Sequence, residues 1–377
     1  MTTVQYVPGL ENVIAAESRI SAIDVEAHSI VVMGYDLSEV SLKASYEEVA
    51  HLLLFGHLPN ELELRNFSRQ LEDNRSLPRE VYDWLRLMPS SIKPMDQLRI
   101  AIPMLAVFDP EVEDNSHEAN IRKATRLIAK LPILIAHGYR IARGRELVSP
   151  DPSLPHAQNF LYMITGKKAN DFEGKVFETS MNLYVEHELA ASTFAARVVA
   201  STFCDIYGAA AAAVSALKGP LHGRANEKAM EMLLQIGQVD NSERWIRASL
   251  ERSERIMGFG HRVYRRGLDP RADIMKGFLK DLGERIGQTK WYEMTVRIEE
   301  LMRNERNLYP NVDYYVGPVY YLLGIPTELD TAVFAAARMA GWAAHAIEQH
   351  GNNRIFRPRA LYTGLRGLRY TPLEQRS

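Results

Sequence analysis

Apolar residues recur along most of the chain at the three- and four-residue spacing of amphipathic helices. In residues 46–56, Val49, Leu52, Leu53 and Phe55 form one stripe, and Gly56 and Pro59 stop it. Asn60 is placed to cap a following helix in which Leu64, Phe67 and Leu71 repeat. Residues 122–144 keep the helical period around Pro132, which should kink or divide that helix. Residues 187–217 are rich in alanine and carry few charges (Glu188, Arg197, Asp205). Alanine lets helices approach closely, so this stretch is expected as a buried central helix or helix pair. Further helical patterns occupy 227–236, 241–255, 270–286, 290–307, 313–323 and 331–350. Strand-like runs are confined to 20–24 and 29–35, which suit a small hairpin. The pattern therefore predicts an all-α protein with a minor N-terminal β-hairpin. No repeat, low-complexity tract or long Gly/Ser linker interrupts it, so any second domain must be packed rather than tethered.

Length and composition narrow the function classes. At about 150 residues per domain, the 377 residues suit two or three domains, or one large domain with an insertion. Hydrophobic residues make up 46% and charged residues 24%, which supports a packed core and rules out wholesale disorder. The 45 basic and 47 acidic side chains leave a net charge of -2. A general nucleic-acid binder needs a basic excess to displace counterions, so none is expected. A single cysteine, Cys204, cannot form an intrachain disulfide and suits a reducing, cytoplasmic address. No apolar run suits a membrane-spanning helix, and the first residues lack a secretory signal, so neither membrane nor export is expected.

Several chemical signatures are missing. There is no phosphate-cradling Gly-x4-Gly-Lys-Ser/Thr loop, no Cys-x2-Cys and no His-Glu-x-x-His, so no metal site is expected. Gly258-Phe-Gly260 begins like a dinucleotide loop but lacks its third glycine and a preceding strand. His345 and His350, five apart on a helix, point in different directions and make a poor ligand pair. What stands out is a set of glycine-flanked histidines and arginines. In Lys218-Gly-Pro-Leu-His222-Gly-Arg-Ala-Asn226, Gly219 and Pro220 end the alanine-rich segment, and Gly223 or Asn226 begins the next helix. A helix N-terminus beside His222 would keep it neutral, able to donate one hydrogen bond to a developing oxyanion. Ile256-Met-Gly-Phe-Gly-His261-Arg-Val-Tyr-Arg-Arg-Gly-Leu-Asp269-Pro-Arg271 follows His261 with Arg262, Arg265, Arg266 and Arg271, groups suited to phosphates or carboxylates. In Tyr309-Pro-Asn311-Val-Asp313, Asp313 falls in a first helical turn among aromatics, where a carboxylate shielded from water can act as a general base. Taken singly, each has a plainer role: a structural histidine, a solvated basic face, an acid complementing a helix dipole.

Taken together, these stretches resemble the citrate synthase family. The resemblance is carried by Glu186-His187-Glu188, Gly-Pro-Leu-His222-Gly-x-Ala-Asn226, Gly-x-Gly-His261-Arg-Val-Tyr with Asp269-Pro-Arg271, and Pro-Asn-Val-Asp313. It continues through Ala-Arg338-Met-Ala-Gly-Trp342, Ile-Glu-Gln349 and Arg357-Pro358, in family order. It implies an aldol-type condensation of an acyl-CoA, acetyl-CoA or propionyl-CoA, with oxaloacetate, followed by thioester hydrolysis. Asp313 would take the proton beside the thioester, His222 would stabilise the enol or enolate, and His261 would polarise the ketone. His187, Arg271, Arg338 and Arg357 would hold the oxaloacetate dianion, Arg357 across a homodimer interface. The backbone of Met257, Gly258, Phe259 and Gly260 would meet adenine, and Arg265 or Arg266 the CoA phosphates. No resident cofactor is implied, since the CoA thioester is a substrate. The implied architecture is a large helical domain, 1–223 and 324–377, with a smaller mobile one, 224–323, closing over the cleft. The stretch 314–318 and the segment Gly324-Ile-Pro-Thr-Glu look like dual-specificity members, so citrate and 2-methylcitrate are both expected products. A non-catalytic CoA- or oxaloacetate-binding paralogue is the alternative. Two departures stand out: Arg224 in place of an uncharged residue, expected to face solvent unless it meets CoA or an acid, and one extra residue between Tyr264 and Asp269.

Overall fold

The computed structural model describes residues 6–24, 26–260 and 269–376. Helices dominate it: among the described residues there are 16 α-helices, and 62% of those residues are helical. Local signals set most of their ends. Ser45 and Glu48 close a capping box on Tyr46–Phe55, and Gly56 ends that helix in a left-handed conformation (φ 82°). Asn60 and Glu63 close a second box on Glu61–Asp73. Pro270 opens Pro270–Ile286 behind the N-cap Asp269, and Asn307 ends Lys290–Arg306 with φ 50°.

The axis of the molecule is Asp330–Gly351, buried from Asp330 through Ile347. Alanine and glycine at many of its positions let other helices approach on all sides. His117–Ala142, Ala191–Ala200, Ile206–Leu217, Asp171–Tyr184 and Tyr46–Phe55 pack around it. Ala225–Ile236 lies along Val312–Leu322, which in turn packs on Pro270–Ile286, and Ser242–Glu251 meets Lys290–Arg306. Gly317 makes the first of these contacts possible: a Cβ there would sit 2.6 Å from the Asn226 carbonyl. Among the described residues, no helix is long and apolar enough to cross a membrane.

Of the two expected forms, residues 187–217 take the helix pair: Ala191–Ala200 and Ile206–Leu217 are separated by a turn with Phe203 at φ 60°, and Asp205 caps the second. The pair is buried, but the central position belongs to Asp330–Gly351. Pro132 does not divide its helix, which runs from His117 to Ala142 with Ser116 as N-cap. The one donor that Pro132 lacks is a small loss within a helix buried along most of its length. The hairpin gains a third strand: Ser21–Asp24 pairs with Ser29–Val32, which turns at Met33 and Gly34 (φ 48° and 88°) to pair with Tyr35–Asp36. Finally, the helix after His222 starts at Ala225 with Arg224 at the N-cap, not at Gly223 or Asn226.

Candidate active site

Asp313 lies in the first turn of Val312–Leu322, where the Asn311 side chain accepts its amide hydrogen. Asn311 also anchors the turn 257–260. Its backbone N–H donates to the Gly258 carbonyl (2.9 Å) and its side-chain amide to the Gly260 carbonyl (3.1 Å). Phe259 bridges to Pro310 and packs 4.6 Å from the Tyr314 ring, with Met257 partly buried beside it. Gly258 has φ 80°, and a Cβ there would stand 2.6 Å from that of Tyr314, so the turn requires glycine.

Asp313 as a residue is half-buried. Burial raises its pKa to about 6, even though a Tyr184 hydroxyl bond (2.5 Å) and the Arg271 and Arg338 cations favour the charged form. Tyr184 is the last residue of Asp171–Tyr184, and burial pushes its phenol well above the usual value, so it remains a donor. Its ring stacks on Phe334 (4.2 Å between centroids), and its carbonyl accepts from Arg338 Nε. Phe334 and Arg338 are one turn apart on the axial helix, and the guanidinium lies 4.9 Å from the Phe334 centroid. Arg338 is only 1% exposed, and its Nη1 has no hydrogen-bond partner among the described residues. Burial pulls its pKa down to about 10, which leaves it cationic at neutral pH. A buried, unpaired guanidinium donor is costly, and an incoming anion relieves that cost.

The His222 ring stands edge-on to Phe334, 6.4 Å between centroids, half-buried in the turn before Ala225–Ile236. Its Nε2 accepts from the Ser192 backbone N–H (3.3 Å) and lies 2.8 Å from the Ser192 hydroxyl. Trp342 Nε1 donates to that hydroxyl (3.2 Å). A backbone N–H can only donate, so Nε2 is an acceptor, and we assign the neutral ring's proton to Nδ1. Ser192, on Ala191–Ala200, thus fixes the tautomer, held in turn by Trp342 of the axial helix.

His187 is buried in the loop after Tyr184, next to Glu186. Glu186 Oε1 accepts from Ser21 Oγ (2.9 Å) and lies 3.1 Å from His345 Nε2. Burial opposes the Glu186 charge, but His345, Arg338 and Ser21 outweigh it and hold the pKa below the usual value. Arg271 is also buried, yet it is already paired. Its Nε and Nη2 grip Asp269 (2.9 and 2.8 Å), while Nη1 approaches the Leu183 carbonyl (3.5 Å). Asp269 in turn accepts the Val312 amide (3.0 Å), tying Pro270–Ile286 to the Asp313 helix.

The structure therefore brings Asp313, Arg338, His222 and Arg271 around Tyr184 and Phe334. It does not bring Arg357 there: that side chain is exposed on the irregular C-terminal segment and donates to the Pro358 carbonyl. His261, Arg262, Arg265 and Arg266 lie outside the described residues. Arg224 does not simply face solvent; it pairs with Glu227 one turn on (2.8 Å). Tyr184, Ser192 and Phe334 escaped the motif reading. An aromatic on an amphipathic helix reads as core, and Ser192 was legible only as the first turn after Glu186-His187-Glu188.

The chain was compared with known proteins. The family described as "Citrate synthase, C-terminal domain" matches residues 9–359. A citrate synthase of Heyndrickxia coagulans is 47% identical over 369 residues, 98% of this chain and 99% of that one. A citrate/2-methylcitrate synthase of Bacillus subtilis is 47% identical over 361 residues, 96% and 97% of the two chains. The solved structure of Thermoplasma acidophilum citrate synthase, in ternary complex with carboxymethyl coenzyme A and oxaloacetate, superposes with a TM-score of 0.92 at 33% identity, covering 98% of each chain.

Proposed function

The chain belongs to the citrate synthase family, and from that premise we propose that it condenses an acyl-CoA with oxaloacetate and water, releasing CoA and citrate or 2-methylcitrate. Asp313 removes the proton beside the thioester carbonyl. Its raised pKa, about 6, leaves it ionised at neutral pH yet basic enough to accept that proton. His222, with its proton on Nδ1, donates to the thioester oxygen as negative charge develops there. The resulting carbon nucleophile attacks the oxaloacetate ketone, which His261 polarises by family resemblance. Water then cleaves the thioester. The CoA thioester enters as substrate, and the residues assigned here call for no resident cofactor.

The observation that carries this reading is the double role of Tyr184. Its hydroxyl holds the base Asp313, and its carbonyl holds Arg338, a buried cation with an open donor. One residue thus registers a proton acceptor against an anion receptor. His187, Arg271 and Arg338 complete the oxaloacetate pocket, and Arg357 joins from a second subunit of a homodimer. Arg271 is held for this role by its pair with Asp269. Met257, Gly258, Phe259 and Gly260 receive the adenine, with Arg265 or Arg266 on the phosphates. Residues 224–323 form the smaller domain; its helices pack mostly on one another, and closure over 1–223 and 324–377 would exclude water.

The test is thiol release from oxaloacetate with acetyl-CoA or propionyl-CoA, with the product identified. We expect turnover of both, with kcat/KM values within about a hundredfold of each other, since one methylene changes discrimination by only about 1–3 kcal/mol. Asp313→Asn should abolish both. Binding of oxaloacetate without thiol release would favour the non-catalytic paralogue.

A further inference from the structure

We propose that His51, His57 and Glu63 form a binding site for a divalent transition-metal ion of the zinc type, remote from the acyl-transfer chemistry. One donor atom from each side chain lies within 4.8 Å of the others. A tetrahedral ion with bonds of about 2.0–2.2 Å holds its donors about 3.3–3.6 Å apart, so His57 Nε2 and Glu63 Oε1 at 3.3 Å already fit, and a rotamer adjustment would draw the third donor in. The three residues come from different pieces of chain: His51 from Tyr46–Phe55, His57 from the turn after Gly56, and Glu63 from the first turn of Glu61–Asp73. Their spread along the sequence explains why no motif announced them.

The hydrogen bonds around the rings are those of metal-binding histidines. His51 Nδ1 lies 3.1 Å from the His57 carbonyl, and His57 Nδ1 lies 3.3 Å from the Phe55 carbonyl. A carbonyl only accepts, so each Nδ1 carries a proton, which leaves Nε2 as the nitrogen that can bind an ion. Histidine ligands commonly orient themselves by donating the other nitrogen's proton to a carbonyl. His57 Nε2 then faces Glu63 Oε1 at 3.3 Å. A lone pair and a carboxylate oxygen repel at that distance unless a positive charge, a proton or a metal ion, lies between them. The other Glu63 oxygen accepts the Asn60 amide (2.8 Å), which fixes the carboxylate and helps hold its pKa below the usual range. His51 is stacked on Phe55 (4.3 Å), and burial lowers its pKa, so no proton competes for its lone pair at neutral pH. The C-terminal end of Tyr46–Phe55 adds the negative pole of its dipole. A bound ion would clip this helix, which packs on the axial helix, to Glu61–Asp73.

The experiment titrates the purified, chelator-treated full-length protein with Zn²⁺ by calorimetry and with Co²⁺ by visible absorption. The variants are His57→Gln and Glu63→Gln; glutamine preserves the capping box at position 63, so that helix keeps its start. We expect one ion per chain, a tetrahedral Co²⁺ spectrum, a Tm raised by Zn²⁺, and at least about tenfold weaker binding in both variants. Thiol release without metal should be unchanged in both. No uptake by the wild type, or uptake equal in all three proteins, would overturn the proposal.

Discussion

Replacing Tyr184 by phenylalanine removes one hydroxyl and leaves the ring stacked on Phe334. The hydroxyl donates to the Asp313 carboxylate, so it stabilises the charged form. Hydrogen bonds to charged groups are worth about 1.5–3 kcal/mol, and one pKa unit corresponds to about 1.4 kcal/mol. The carboxyl, at about 6 with the bond in place, should therefore move to about 7–8 without it. The assay is the pH dependence of kcat/KM for acyl-CoA, which reports the base in the free enzyme. Its acid limb should shift upward by about one to two units. At pH 7 the loss should be about two- to tenfold, and activity should recover as the pH approaches 9. A residue that only packs would lower the rate at every pH without moving the limb. A folded variant whose limb coincides with that of the wild type would therefore refute the link between Tyr184 and Asp313.

Three further outcomes follow from the same contacts. Asp313→Asn should stabilise the fold at neutral pH while removing activity. The native carboxyl holds its proton to about pH 6 and the unfolded one releases it near 3.8, so wild-type stability falls as pH rises through that window, by up to about 3 kcal/mol; urea unfolding of both proteins at pH 4 and pH 8 measures it. Arg338→Gln should raise the KM for oxaloacetate far more than that for acyl-CoA, costing about 2–5 kcal/mol in oxaloacetate binding, read from steady-state kinetics. Gly317→Ala should destabilise the protein by about 1–3 kcal/mol, because the new methyl meets the Asn226 carbonyl at 2.6 Å, a backbone atom that cannot turn aside; denaturant midpoints measure it.

Much of the fold was legible in one dimension. Helix type and most helix ends follow from local rules: the capping boxes at Ser45 and Asn60, the left-handed stops at Gly56 and Asn307, Pro270 behind Asp269. The place of Asp313 in a first helical turn was legible in Tyr309-Pro-Asn311-Val-Asp313, whereas Arg338 was named only through the resemblance. That the helix runs on through Pro132 was not legible, nor which of the two forms, one helix or a pair, residues 187–217 take. Whether a helix runs through a proline or breaks at a polar turn depends on what packs against it, and that involves residues distant in sequence.

The site divides the same way. Residue type alone supplied a carboxylate, a neutral imidazole and several guanidiniums, each with its own chemistry. Only the folded chain set the Tyr184 hydroxyl on Asp313, paired Arg271 with Asp269, left Arg338 open and settled the His222 tautomer through Ser192 and Trp342. Local sequence governs dihedral preference and capping, which act over one helical turn. Burial, charge pairing and proton position depend on which surfaces meet, and those belong to segments far apart along the chain.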